Sequence, residues 1–167
     1  FLSKFGTVMG FTITEFPEQI QGRLYQAGRL ADELGQDLYL VGGSLRDLLL
    51  GRSRTDIDLV LEGDGIEFSD CLSRRVNGIF LPHSNFLTAT IKFPDGQNLD
   101  IATARSETYE HPSALPKVLP ASIDIDLKRR DFTINSMAIE LNGRGFGNLV
   151  DPFSGRADLD KRLVRIL

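Results

Sequence analysis

The stretch that most constrains the fold is DLYLVGGSLRDLLLGRSRTDIDLVLEG, residues 37 to 63. It begins and ends with β-forming runs, which predict two strands. Between them, glycines at 42 and 43 and a closing Gly51 bracket a segment typical of a short helix, with Ser44 as a candidate N-cap. A strand, a helix and a second strand packed into so short a stretch predict a sheet with at least one helix against it.

The rest of the chain continues this alternation. Apolar spacing predicts helices over residues 18 to 34 and 65 to 78, with Cys71 on the core side of the second. Alternation on either side of PDGQN predicts an antiparallel hairpin. Residues 106 to 121 hold three prolines and predict a long loop, and a helix is expected from about 122 to 138, followed by a strand. We therefore expect an α/β (α+β) domain with a small mixed sheet and helices packed on one side.

Composition excludes several classes of protein. A hydrophobic fraction of 41% and a charged fraction of 25% fit a globular domain, and no apolar run is long enough for a membrane helix. The single Cys71 excludes an internal disulfide and a cysteine-based zinc site, so a reducing cytoplasm is the expected location. A net charge of −4 argues against binding nucleic acid through overall charge. His83 and His111 both neighbour a proline, and exposed loop positions are expected for them.

Two copies of Asp-Ile-Asp raise the question of a metal site. Asp56 and Asp58 begin a strongly β-forming run, and residues i and i+2 of a strand share a face. Their carboxylates can therefore converge on Mg²⁺, which prefers oxygen ligands. Asp124 and Asp126 precede a helical pattern, where residues two apart diverge by about 200°. We expect this second pair to favour the helix dipole and nothing more; an ordinary acidic turn remains the alternative for the first pair.

The residues around the first pair favour phosphate chemistry. Gly42 and Gly43 leave the backbone open to a phosphate at a helix start, and Arg46 can grip a triphosphate. Asp100 supplies a third carboxylate on another strand, either as a ligand or as an aid to deprotonation. Further along, a helix entry carries four polar residues that can face a nucleotide or serve only as a charged helix start: Arg129, Arg130, Asp131 and Asn135.

Taken together, LVGGSLRDLLLGRSRTDIDLVLEG, LDIATARSETYEHPSALP, DLKRRDFTINSMAIEL and DPFSGRADLDKRLVRIL resemble the catalytic head of the bacterial-type (class II) tRNA nucleotidyltransferase and poly(A) polymerase family. The resemblance covers about residues 38 to 167 and keeps the family's motif order. It implies a polymerase-β-type nucleotidyltransferase fold, ATP or CTP as substrate, Mg²⁺ as cofactor and a tRNA 3′ end as partner, with no membrane.

The resemblance also implies roles for single residues. Asp56 and Asp58 would bind the metal ions, and Gly43 and Arg46 would contact the triphosphate. Arg130, with Arg129 and Asp131, would hold the sugar or phosphates, and Asn135 would support this face. The loop at 106 to 121 corresponds to the family's flexible loop.

Domain limits follow from the same resemblance. We expect a linker or the end of an upstream segment at residues 1 to 17, a head domain at 18 to 150, and the start of a neck at 151 to 167. The missing initiating Met leads us to expect a piece of a longer protein. The family's base-reading Glu/Asp-x-x-Arg motif is not found, so addition of CCA, CC, A or a poly(A) tail stays open. A fold relative acting on small molecules or proteins, or a non-catalytic nucleotide-binding module, also remains possible.

Overall fold

A computed structural model describes residues 14, 16, 18–52, 56–108, 111 and 117–167. Most of the linker expected at residues 1 to 17 lies outside this set. The helices are α1 (Glu18–Leu34), α2 (Gly42–Leu49), α3 (Gly65–Val76), α4 (Ile123–Lys128) and α5 (Gly155–Asp160). The strands are β1 (Asp37–Val41), β2 (Asp56–Glu62), β3 (Ile79–His83), β4 (Thr88–Lys92), β5 (Asn98–Thr103), β6 (Arg105–Thr108), β7 (Lys117–Pro120), β8 (Ala138–Glu140) and β9 (Leu149–Val150).

A seven-stranded sheet in the order β3-β4-β5-β2-β1-β8-β9 forms the centre of the molecule. Its neighbours are antiparallel except for β2 and β5, which are parallel because α3, β3 and β4 intervene between them in the chain. The sheet is therefore mixed, as predicted, and the hairpin of β4 and β5 is confirmed. None of the helices in the described ranges is long and apolar enough to cross a lipid bilayer.

The main core lies on one face of the sheet, between the strands and helices α1, α2 and α3. Ile57, Leu59 and Leu61 of β2 point into this core and are almost completely buried. Because side chains alternate along a strand, Asp56 and Asp58 point to the opposite face. That face is only partly covered: Ile123 and Leu127 of α4 pack there in a second, smaller cluster. The uncovered remainder is the floor of the cleft described below.

The helix expected from about 122 to 138 is much shorter in the structure. α4 ends at Lys128, Phe132 has extended backbone dihedrals, and Thr133–Asn135 form a short 3₁₀ turn. Ala138 then begins β8, where it pairs with Val41 of β1. The helical spacing of apolar residues was misleading here because pairing with a distant strand, which a local pattern does not contain, decides the conformation.

Three other expectations are also corrected. The expected loop at 106 to 121 contains β6 and β7, which pair as an antiparallel ladder; residues 109, 110 and 112–116 lie outside the described set. His83 is exposed, as expected, but it ends β3 and does not lie in a loop, whereas His111 is an exposed bend residue. Ser44 is not the N-cap of α2, which is Val41; the Ser44 hydroxyl donates to the Val41 carbonyl and accepts from the Asp58 N–H.

Residues after 150 pack against the rest of the chain. Thr133 donates a hydrogen bond to the buried Asp158 carboxylate at 2.7 Å, and Leu159 joins the main core. Gly155 lies so close to the Thr133 carbonyl that a Cβ there would be 2.2 Å from its oxygen. The limit between head and neck at residue 150 stays a prediction.

Candidate active site

A cleft of about 690 Å³ lies over the uncovered face of the sheet. Its floor is formed by β2, β5 and β4, one wall by the start of α2, and the opposite wall by the segment that follows α4. Eight of the ten residues singled out in the sequence line this cleft: Gly42, Gly43, Asp58, Asp100, Arg129, Arg130, Asp131 and Asn135.

Strand register makes three carboxylates project from one face of the sheet, and two of them, Asp58 and Asp100, line the cleft floor. In the parallel pair of β2 and β5, Asp58 lies directly beside Asp100, and Asp56 lies beside Asn98. Asn98 donates an amide hydrogen to Asp56 at 2.9 Å. Residues paired in register on adjacent strands point to the same face, so the three acids project into one region although they are far apart in the chain. Asp56 is exposed at the edge of the cleft.

The surroundings of Asp58 disfavour its charged form. Burial raises the pKa of the Asp58 carboxyl, and the negative charge of Asp100 adds to that rise. Hydrogen bonding from Ser44 and the positive charge of Arg130 act in the opposite direction without cancelling the effect. A cation bound beside Asp58 would favour the charged form of this half-buried carboxylate.

The glycine turn brings backbone against the acids and against Arg130. Gly42 has φ +67°, a conformation that favours glycine, and begins α2 directly after β1. A Cβ at this position would lie 3.1 Å from Nη1 of Arg130 and 3.5 Å from Oδ2 of Asp58. Gly42 and Gly43 line the cleft at the start of α2, where the first N–H groups of a helix have no intrahelical partner, an arrangement that suits an anion.

Asp126 holds the two arginines of the opposite wall. Its fully buried carboxylate accepts hydrogen bonds from Nη2 of Arg129 at 2.8 Å and from Nη2 of Arg130 at 3.0 Å. Asp124 is exposed, so the two acids do diverge as predicted, but Asp126 is not merely a helix-dipole residue. That expectation was wrong. The signal was present in the sequence: Ile123, Asp126 and Leu127 have the i, i+3, i+4 spacing of one helix face, and that face is buried.

Arg46 and Asn135 are brought together beside the cleft. Nη1 of Arg46 donates to the Asn135 side-chain oxygen at 2.8 Å, and Nε donates to Asp47 at 3.0 Å. Arg46 is not among the described residues that line the cleft; it lies behind Asn135 and fixes that side chain. Asp131 is exposed at the cleft wall.

Thr90 was not singled out from the sequence. Its hydroxyl donates to Oδ1 of Asp100 at 2.6 Å, and Nε2 of His83 lies 3.4 Å from the same hydroxyl. Cross-strand pairing of Thr90 with Asp100 creates this contact, and pairing between strands cannot be read from a local motif.

The donor chemistry of the floor fits a hard divalent cation. Asp56, Asp58 and Asp100 offer only oxygen ligands, which Mg²⁺ prefers, and burial, together with the charge of Asp100, raises the pKa of Asp58. In the described part of the chain, no three acidic, histidine or cysteine side chains converge as they would around a bound ion.

Comparison with known proteins agrees with this geometry. The family description of the poly A polymerase head domain matches residues 38–165. The A-adding tRNA nucleotidyltransferase of Geobacter sulfurreducens is 46% identical over 151 residues, which are 90% of this chain and 17% of that protein. The enzyme of the same name from Halalkalibacterium halodurans is 44% identical over 160 residues, 96% of this chain and 37% of that protein.

A solved structure gives the same result. The Thermotoga maritima CCA-adding enzyme complexed with tRNA superposes with a TM-score of 0.79 at 39% identity, covering 93% of this chain and 34% of that one. The fold is therefore the polymerase-β-type nucleotidyltransferase fold expected from the sequence. The chain spans between 17% and 37% of the length of these relatives. It belongs to the poly A polymerase head domain family of nucleotidyltransferases.

Proposed function

We propose that this chain is the catalytic head of a metal-dependent RNA nucleotidyltransferase that transfers AMP, CMP or both to the 3′-hydroxyl of tRNA. The observation that carries the proposal is the arrangement of the cleft. Asp58 and Asp100 line the floor, and Asp56 projects from the same face of the sheet. The glycine-containing start of α2 adjoins them, and a Cβ at Gly42 would lie 3.1 Å from Nη1 of Arg130. Negative groups for a cation and positive groups for a triphosphate thus face the same space.

Asp56 and Asp58 would hold the Mg²⁺ ions of this site. When bound, Mg²⁺ lowers the pKa of an attacking hydroxyl and stabilises the leaving oxygens of pyrophosphate. The family's general dependence on metals supports this assignment, as does the oxygen-only donor set of the floor.

The chain's own groups bind and orient the nucleotide. The N–H groups of Gly42 and Gly43 receive the phosphates, and the guanidinium of Arg130 neutralises part of their charge. Arg46 donates to the Asn135 side chain at 2.8 Å and orients it, beside the contact with the triphosphate that the sequence predicts for Arg46. Arg129, Asp131 and Asn135 face the sugar.

The reaction is a single in-line displacement. The RNA 3′-oxygen forms a bond to the α-phosphorus while the bond from that phosphorus to the bridging oxygen of pyrophosphate breaks. The proton of the attacking hydroxyl passes to Asp100, whose orientation is set by the hydrogen bond from Thr90 at 2.6 Å. No covalent enzyme intermediate is required.

The names of relatives support a tRNA substrate but leave the added nucleotide open. Proteins named A-adding, CC-adding and CCA-adding match this chain at 46%, 38% and 34% identity. A poly(A) polymerase acting on other RNA 3′ ends is the second candidate, because the matching family carries that name. The limit between head and neck near residue 150, and location in the cytoplasm, belong to the same proposal.

The test joins this chain to the remainder of the Halalkalibacterium halodurans relative, replacing that protein's own matching region. The chimera is supplied with Mg²⁺, each NTP, and tRNA transcripts ending before the CCA, after CC, and after CCA; products are sequenced. We expect addition of A to the CC-ending tRNA, abolished by Asp58→Asn and retained by the matched control Asp124→Asn. Extension of unrelated RNAs as fast as tRNA would favour the second candidate.

Binding measurements on the isolated chain test the metal assignment independently of the chimera. Mg²⁺-dependent ATP and CTP binding is measured by calorimetry on wild type, Asp58→Asn and Asp124→Asn. Equal metal-dependent binding by wild type and Asp58→Asn would contradict the metal assignment. A folded chimera that extends no tRNA with any NTP would contradict the proposed activity.

A further inference from the structure

We propose that Asp126 is a positioning residue that fixes Arg130 in the orientation that binds the nucleotide phosphates. Asp126 does not line the cleft, although the two arginines it holds both do. It therefore acts on a ligand only through them. The assignment of phosphates to Arg130 rests on the proposed function; the positioning of Arg130 does not.

The buried carboxylate divides its two oxygens between the arginines. Oδ1 accepts from Arg129 Nη2 at 2.8 Å and from the backbone N–H of Arg105 at 3.2 Å. Oδ2 accepts from Arg130 Nη2 at 3.0 Å and Nε at 3.3 Å. Every accepting direction is used, and no part of the residue is exposed. A buried carboxylate is tolerated only when it is paired in this manner.

These contacts fix Arg130 on several sides. Its Nη1 donates to the Asn135 carbonyl at 3.4 Å and packs against Gly42, where even a Cβ would come within 3.1 Å. Its Nε and Nη2 are both directed to Asp126, so the guanidinium cannot rotate without breaking two hydrogen bonds. An arginine ordered before its ligand arrives loses less entropy on binding.

The group of charges around Asp126 is positive overall. Arg105, Arg129 and Arg130 contribute three positive charges, and Asp126 and Glu107 contribute two negative ones. Asp126 therefore holds the arginines together against their mutual repulsion. Of this group, Arg129 and Arg130 line the cleft together with Glu107, so two positive charges and one negative charge are presented to a ligand there.

The same group connects the cleft wall with the hairpin of β6 and β7. Arg129 donates to the Arg105 carbonyl at 3.2 Å and to Glu107 at 3.0 Å, and both of those residues belong to β6. Loss of Asp126 would thus free Arg130 and, in addition, loosen the base of this hairpin.

The test measures Mg²⁺-dependent ATP affinity and Tm for wild type, Asp126→Asn, Asp126→Glu and the matched control Asp124→Asn. Asp124 lies on the same helix and is exposed, so its substitution should change neither quantity. We expect Asp126→Asn to weaken ATP binding about tenfold, since the amide cannot accept from both guanidinium groups. Asp126→Glu should recover part of the loss because it keeps the charge.

A double-mutant cycle separates positioning from stability. In an Arg130→Lys background, Asp126→Asn should change ATP affinity by less than about twofold, because the group it positions is gone. In the chimera, KM for ATP should rise more than kcat falls. Additive effects of the two substitutions, or wild-type ATP affinity in a folded Asp126→Asn protein, would overturn the proposal.

NMR of the wild-type chain tests the positioning of Arg130 even if a variant fails to fold. The Nε–H resonance of Arg130 in the wild-type chain should show slow guanidinium rotation, and Asp126→Glu should speed it. Fast rotation in wild type would overturn the proposal even if Asp126→Asn fails to fold. Slow rotation in a wild-type chain that binds no ATP would support positioning while contradicting the proposed function.

Discussion

Gly42→Ala and Gly51→Ala form a matched pair that isolates the effect of crowding in the cleft. Both glycines have φ +67°, so an alanine at either position suffers the same backbone strain, about 1–2 kcal/mol. Their surroundings differ: a Cβ at Gly51 meets nothing within 4 Å, whereas one at Gly42 meets Arg130 and Asp58.

The magnitudes follow from these contacts. Gly51→Ala should lower Tm by about 2–8 °C, the range for that strain in a chain of this size, and leave ATP affinity unchanged. Gly42→Ala should cost about 1 kcal/mol more, since the 3.1 Å approach forces Arg130 to move and weakens its hydrogen bonds to Asp126. Mg²⁺-dependent ATP affinity should then fall about tenfold, because the phosphate-facing backbone is covered and Arg130 is displaced.

Thermal unfolding and calorimetry on the two variants decide the matter. If both variants lose the same stability and bind ATP as tightly as wild type, close approach at Gly42 is irrelevant and the phosphate site lies elsewhere. If Gly51→Ala also weakens ATP binding, the backbone strain itself, transmitted along α2, would account for the loss.

Three further predictions concern the floor and its support. Burial and the charge of Asp100 raise the pKa of Asp58, so the contribution of this carboxyl to folding is favourable below the ordinary carboxyl pKa and is lost as pH rises through the folded value. Asp58→Asn should therefore raise the Tm of the metal-free chain more at about pH 7 than at about pH 4. A change in Tm that is equal at the two pH values, or negative at pH 7, would refute this. Thr90→Val should slow transfer by the chimera about tenfold through loss of the 2.6 Å bond to Asp100, with ATP affinity unchanged; an unaltered rate would exclude that role. Arg23→Met removes the guanidinium that stacks 3.5 Å from the Phe93 ring centroid and pairs with Asp95 at 2.7 Å; neither Arg23 nor Phe93 lines the cleft. Tm should fall by about 2–4 °C while ATP binding stays the same, and a loss of ATP binding would show that the two regions are coupled.

Local patterns were sufficient for the glycine turn and for the first Asp-Ile-Asp. Alternation along β2 places Ile57 in the core and both acids on the other face, and this follows from strand geometry alone. The position of Asp100 could not be predicted from local patterns alone. Its motif predicts that it lies in a strand, but only the parallel register between β2 and β5 brings it beside Asp58.

The segment after residue 122 was predicted less well for a physical reason. Its apolar spacing suits a helix, yet residues from Ala138 pair with β1, so tertiary contacts override local preference. Asp126 was underestimated because a buried acid is uncommon and its partners, Arg129 and Arg130, looked like a solvated helix entry. Spacing alone would have placed it on the buried face beside Ile123.

The parallel pairing of β2 with β5 also has a kinetic consequence. Asp56 and its partner Asn98 are 42 positions apart, and α3, β3 and β4 lie between β2 and β5 in the chain. Forming such a contact requires closure of a long loop, which is a slow step in folding. Until β5 docks, Asp100 does not lie beside Asp58, so gain of metal affinity at the proposed site during refolding would report the docking of β5.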